Sequence, residues 1–321
     1  MSKESQPSFF PSAALDHAVA GIGAGVAAVF CMHPLDLLKT KLQTSTTPGK
    51  GNVFKHIGLS LREIYVKDGV KGLYRGVGPN VAGNASSWGL YFLFYNILKK
   101  RGSEGGELTS GRTLLYAAEA SAATAILTNP IWVVKVRMFT THPKDPIAYR
   151  NSWHGLSTIY RTEGVRGLYR GTLLALVGVS NGALQFMAYE RIKMMAFKQK
   201  RGSFEKAGKP WTTEDDKLAN TTYIMASGAS KIFALAITYP YQVVRARIQN
   251  NATVHLYPNI PTCITRTYSE AGVRGFYRGL GTNLVRVLPG TCVTFVVYEN
   301  IAWLLRRAAV KRERIEYTGE D

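Results

Sequence analysis

A few charged residues set inside long uncharged stretches define the chemistry open to this chain. Asp36 and Lys39 follow the stretch from Ala18 to Leu35, while Lys231 and Arg286 interrupt otherwise apolar runs. An ionisable group inside an apolar helix is costly unless it faces a partner, water or cargo. These residues are therefore the first candidates for holding an anion. Covalent chemistry has less support: there is no GxxxxGK[ST] phosphate loop, no HExxH pair and no compact acid/base constellation. The histidines at 17, 33, 56, 142, 154 and 255 are scattered, and Cys31, Cys263 and Cys292 lack CxxC spacing. No catalytic residue, metal centre or catalytic cofactor is expected, and the chain does not read as an enzyme.

The elements that must carry these charges are visible as long apolar runs. Ala18 to Leu35, Gly76 to Leu98 and Gly171 to Tyr189 contain no Asp, Glu, Lys or Arg. Each approaches the roughly 20 residues that cross a bilayer as a helix. The 321 residues carry 40 Lys and Arg against 21 Asp and Glu, a formal charge of +19. Because the bases flank apolar runs, the excess points to lipid headgroups and an anionic cargo and not to a nucleic-acid face.

The organisation is a triplication. PLDLLKTKLQ from Pro34, PIWVVKVRMF from Pro130 and PYQVVRARIQ from Pro240 share a proline followed by paired bases. Each is followed by a second pattern: DGVKGLYRG, EGVRGLYRG and AGVRGFYRG, ending at Gly76, Gly171 and Gly279. Repetition at a fixed period is the mark of stacked equivalent units. Each unit reads as an apolar helix, a polar segment with a short amphipathic helix, and a second apolar helix. The expected fold is an all-α membrane protein with six transmembrane helices in three tandem repeats, over 13–101, 110–198 and 217–308. Tails at 1–12 and 309–321 flank them, and Lys100 to Leu108 and Gln199 to Asp216 read as linkers. The first residues lack the apolar run of a secretory signal and the Arg-rich character of a matrix presequence.

This triplicated pattern resembles the signature of the mitochondrial carrier family from about Asp16 to Arg306. The resemblance implies a monomeric transporter of the mitochondrial inner membrane with both termini in the intermembrane space, a central cavity and alternately opening gates. For the matrix gate it implies the acid Asp36, with Trp132 and Gln242 in the other two acid positions, and the bases Lys39, Lys135 and Arg245. Asp36 would pair with Lys135, Trp132 would lie by Arg245, and Gln242 by Lys39. Gln43 and Gln249 match the brace beneath that gate, while Phe139 stands in the middle repeat. For the cytoplasmic gate the matches are Asn96 and Lys99, Glu190 and Lys193, and Glu299, with Ala302 where the last base would be. The turns at Arg75 and Gly76, Arg170 and Gly171, and Arg278 and Gly279 would hold cardiolipin through backbone amides at helix starts.

The substrate positions implied by the resemblance fall about seven residues after each turn glycine: Gly83 with Asn84, Gly178 with Val179, and Arg286. Lys231 lies eleven residues before Gln242, about 1100° of helix or a net 20°, so it shares the gate-facing side. Glu119 falls between helices by the same reckoning. GNASSWGLYF, GALQFMAYE and SKIFALAITYPYQVVRARIQ resemble the folate/FAD branch, with Trp132 and Gln242 in agreement. FAD or a folate is therefore the expected cargo, with Arg286 and Lys231 on its anionic groups, Trp88 or Trp132 against its ring, and Ser87 and Asn181 on its polar atoms. A pyrimidine-nucleotide or NAD carrier is the alternative, and a nontransporting scaffold the alternative of a different class.

Overall fold

The computed structural model describes residues 9–10, 13–45, 53–103, 110–142, 145, 148–208 and 217–318. Ten α-helices are present among them: α1 (Ala13–Thr44), α2 (Val53–Leu73), α3 (Val77–Ser103), α4 (Ser110–Thr140), α5 (Ser152–Leu168), α6 (Thr172–Val177), α7 (Ser180–Lys206), α8 (Asn220–Gln249), α9 (Ile260–Ala271) and α10 (Leu280–Thr318). Each repeat is a long helix, an amphipathic helix and a second long helix, which in the middle repeat is divided into α6 and α7. Pro34, Pro130 and Pro240 lie inside α1, α4 and α8. Three stretches meet the length and apolarity of a membrane span by themselves, Leu15–Thr44, Thr172–Lys206 and Ile260–Arg312. α3, α4 and α8 have 27, 31 and 30 residues, or about 40 Å and more of helix. They are long enough to span, but carry more polar side chains.

Two glycines per repeat fix the turn between the amphipathic and second long helices. Gly69 (φ 65°, ψ −162°) and Gly164 (φ 64°, ψ −160°) bend α2 and α5, and Gly272 (φ 56°, ψ −154°) ends α9. That region of backbone space is essentially closed to residues with a Cβ. Seven residues on, Gly76, Gly171 and Gly279 have φ of 74°, 73° and 82°, and the next helix starts immediately after. Asn151 and Asn259 cap α5 and α9, accepting from His154 N at 2.8 Å and Thr262 N at 2.9 Å.

The buried core lies where the odd helices, past their prolines, meet the amphipathic helices. Val133, Val134 and Met138 pack with Tyr149 and Ile159, and Leu37 with Ile64 and Phe139. Val244 and Ile248 pack with Leu174, Tyr257 and Cys263. Elsewhere the long helices leave Ile22, Phe186, Met225 and Phe295 exposed, as lipid-facing surfaces do. The helices also run into both expected linkers, α3 to Ser103 and α7 to Lys206, since no proline interrupts either stretch before those ends. Most of the remaining linker residues and of the N-terminal tail lie outside the described residues, whereas α10 continues through the expected C-terminal tail to Thr318.

The chain divides into two compact units, residues 1–93, 130–168 and 279–321, and residues 94–129 and 169–278. α1 packs against α10 in the first and α7 against α8 in the second.

Candidate transport site

In the first unit a chain of polar groups runs from a helix turn to an ion pair. His33 is fully buried, with Nε2 3.1 Å from the Arg75 carbonyl and Nδ1 3.1 Å from Asn80 Nδ2. A carbonyl accepts and an amide nitrogen donates, so these partners assign the neutral tautomer with the proton on Nε2. Asn80 Nδ2 also donates to Asp36 Oδ2 at 3.4 Å, and Asp36 Oδ1 lies 3.0 Å from Arg286 Nη1. Arg286 Nη2 in turn donates to Asn283 Oδ1 at 3.4 Å. Both members of the ion pair are thus tethered by an asparagine four residues after a turn glycine.

This geometry differs from the expected Asp36–Lys135 pair. Arg286 reaches Asp36 from α10, which packs along α1, while Lys135 Nζ sits over the rings of Trp132 and Phe139 on its own helix, at 4.8 and 5.2 Å. Lys135 and Lys39 act on Asp36 as electrostatic neighbours. Trp132 lies along Gly83, where an added Cβ would meet its ring at 3.4 Å. Asn84 Nδ2 donates to the Asn80 carbonyl at 2.8 Å and to Asn80 Oδ1 at 3.1 Å, so it belongs to the same polar line. Trp88 is 63% exposed and stacks on Phe92 with ring centroids 5.8 Å apart. Ser87 is half-buried beside it. Phe139, in the brace position, is fully buried under His33, edge to face at 5.1 Å.

The second unit holds Lys231 and Arg245. Lys231 Nζ donates to Gln185 Oε1 at 3.0 Å, joining α8 to α7. Asn181 Nδ2 donates to Thr238 Oγ1 at 2.6 Å. Gly178 and Val179 form the junction of α6 and α7, closed by tight three-residue bonds from Val179 N to Leu176 O and Asn181 N to Gly178 O. Gly178 has no space for a side chain, because a Cβ would lie 2.8 Å from the Tyr241 hydroxyl. Gly178 to Gly182 spells GxSxG, the letters of a hydrolase nucleophile elbow. Here it falls at a helix–helix junction with no strand before it, and the Ser180 hydroxyl donates to Val177 O at 2.7 Å, so the context that arms such a serine is missing. Arg245 Nη2 donates to Asn129 Oδ1 at 3.4 Å. Asn129 Nδ2 and Gln249 Nε2 donate to the Arg170 carbonyl at 3.3 and 3.0 Å. Among the described residues, Nε of Arg245 and Nε of Arg286 are buried without a partner.

The turn arginines make backbone contacts between repeats. Arg75 Nε donates to Met138 O at 2.8 Å, and Arg170 Nη2 lies 3.5 Å from Tyr257 O and Pro258 O; Arg278 is half-buried. Of the residues expected at the cytoplasmic gate, Glu190 and Lys193 pair at 3.0 Å along α7, and Asn96, Lys99 and Glu299 are exposed. Tyr298, next to Glu299, has His17 Nδ1 on its hydroxyl at 2.8 Å. Glu119 is exposed, not packed between helices, and its neighbour Ala120 takes the buried position.

His33, Asn80, Asn129 and Gln185 are the site residues that sequence reasoning passed over. The signal available for His33 and Asn129 was their shared place before a signature proline, and for Asn80 its match with Asn283 four residues after a turn glycine.

Three sequence-equivalent helical repeats, with Asp36 on α1 paired to Arg286 on α10 between long helices, have the form of a membrane transporter. A profile of the family described as "Mitochondrial carrier protein" matches residues 11–104, 106–200 and 216–308, and the chain belongs to that family. It is 38% identical over 307 residues to Folate transporter 1, chloroplastic, of Arabidopsis thaliana, covering 91% of this chain and 96% of that protein. It is 38% identical to the Arabidopsis Nicotinamide adenine dinucleotide transporter 1, chloroplastic (89% and 91% covered), and 34% identical to the Mitochondrial FAD carrier protein FLX1 of Saccharomyces cerevisiae (88% and 94%).

Proposed function

We propose that this carrier moves FAD, or a folate, across the mitochondrial inner membrane by alternating access, with both termini in the intermembrane space. The observation that carries the reading is in the first unit, where the Trp132 ring lies along Gly83 beside Asp36, Lys39, Lys135 and Arg286. Three cations against one carboxylate favour an anion, and a flat aromatic surface favours a large ring. The buried Nε donor on Arg286 suits a phosphate or carboxylate oxygen, and Lys231 is the further cation that its sequence position puts forward for the cargo. Asp36, Lys39, Lys135, Arg245, Trp132 and Gln242 form the matrix gate, with Gln43 and Gln249 beneath it. Asn96, Lys99, Glu190, Lys193 and Glu299 form the cytoplasmic one. Cardiolipin sits at the turns ending in Gly76, Gly171 and Gly279, held by backbone amides, since Arg75 and Arg170 are turned onto carbonyls of the next repeat. The likeness to relatives named for folate and FAD transport supports the cargo. Equal identity to a relative named for nicotinamide adenine dinucleotide supports NAD as the second reading.

A panel of FAD, folate, NAD and pyrimidine nucleotides tested for thermal stabilisation of the purified carrier decides among these. FAD or folate should give the largest rise in unfolding temperature, and Arg286→Ala should abolish it. A larger rise with NAD would overturn the cargo assignment.

A further inference from the structure

The residue just before each signature proline contacts the turn that opens the even helix of its own repeat. These residues are His33, Asn129 and Tyr239, and all three are fully buried. His33 Nε2 donates to the carbonyl of Arg75, and Asn129 Nδ2 to the carbonyl of Arg170, the arginine of the turn that opens the even helix of the same repeat. The ring of His33 stacks on Tyr74 at 5.7 Å and 9°, and that of Tyr239 on Tyr277 at 6.4 Å and 11°, in each case the tyrosine of that turn. The opposite end of the polar residue is equally committed. His33 Nδ1 receives Asn80, which holds Asp36, and Asn129 Oδ1 receives Arg245.

We propose that His33 and Asn129 are positioning residues that fasten a charge of the matrix gate to the turn at the start of the even helix, so that gate and turn move together. The two cases come from the two units independently. Each uses a side chain with one donor and one acceptor on opposite edges, which is what a link between a carbonyl and a donor requires. A neutral imidazole and a carboxamide share that property, whereas an apolar ring of the same size would keep the stacking and lose the link. The charges concerned are those assigned to the gate above, so the inference rests on that reading for its consequence in transport.

The test separates the link from packing. His33→Phe retains the stacking on Tyr74 but neither hydrogen bond, while His33→Asn installs the residue of the second repeat. Thermal unfolding of His33→Phe, Asp36→Asn and the double variant, and of Asn129→Leu, Arg245→Gln and their double, needs no cargo. In each pair the second substitution should add less than half of the unfolding-temperature loss it causes alone, because the first has already broken the link. Strict additivity in both pairs would overturn the proposal. In liposomes, His33→Phe should lower FAD Vmax about tenfold without raising KM, and His33→Asn should restore most of it. A near-wild-type Vmax in His33→Phe with a loss in His33→Asn would mean that His33 acts by packing alone and would overturn the proposal. Failure of the wild-type carrier to move FAD sinks the cargo reading, and the thermal cycles still decide the inference.

Discussion

Removing the Asp36 carboxylate should tighten cargo binding while slowing transport. Asp36 Oδ1 and Arg286 Nη1 are 3.0 Å apart, which at an effective dielectric constant of 20 corresponds to a gross attraction of about 5–6 kcal/mol. Desolvation and side-chain entropy cancel most of it, and hydrogen bonds to charged groups contribute about 1.5–3 kcal/mol net. An anionic cargo that binds Arg286 must first displace Asp36. In Asp36→Asn that competitor is gone, and the remaining carboxamide still accepts weakly, so about 1–2 kcal/mol returns to cargo binding. KM for uptake should fall roughly five- to thirty-fold. Vmax should fall as well, because Lys39, Lys135 and Arg286 then lose their shared counter-charge. Initial rates of labelled FAD uptake into proteoliposomes over a range of concentrations give both parameters. A KM that rises in Asp36→Asn would refute the competition.

The remaining predictions concern the frame and the second unit. Arg137, whose side chain is 1% exposed, is held by both oxygens of Glu163, so Glu163→Gln should destabilise the protein by about 3 kcal/mol. Its unfolding temperature should drop with KM unchanged. Gly76 and Gly171 have nearly the same positive φ, but a Cβ on Gly76 would lie 2.8 Å from the buried Phe139 ring, and one on Gly171 would meet the flexible Gln249 and Arg245 side chains at 3.3 Å. Gly76→Ala should therefore lower the unfolding temperature more than Gly171→Ala. Lys231→Met should raise KM about tenfold; an unchanged KM would remove Lys231 from the binding surface.

Local rules made the frame legible in the sequence. The glycines at 69, 164 and 272, and at 76, 171 and 279, adopt conformations that few other residues tolerate, so their positions mark helix bends and helix starts directly. The apolar runs and the signature prolines placed the long helices for the same reason. The division at Gly178–Val179 was not visible as a helix junction, because it depends on Tyr241 pressing on a glycine from α8. The helix ends at Ser103 and Lys206 were also missed: a Gly- and charge-rich stretch ends a helix only when nothing extends its packing. Among site residues, charge and repeat position led to Asp36, Lys231 and Arg286. Their partners depend on which side chains reach across helices far apart in sequence. His33 to Asn80 and Lys231 to Gln185 are contacts of that kind, and Arg286 took Asp36 because α10 lies along α1. Arg247 shows the same limit: Ala271 replaces the acid present at Glu163 and Asp68, and the buried guanidinium instead donates to Thr267 Oγ1 at 2.8 Å and Tyr257 Oη at 3.3 Å.

The most direct measurement is uptake of FAD, folate and NAD by the purified protein in cardiolipin-containing liposomes, with Arg286→Ala alongside. Saturable uptake of FAD or folate that exceeds NAD and disappears in the variant is the predicted result. Preferential uptake of NAD, or uptake indifferent to Arg286, would contradict the account.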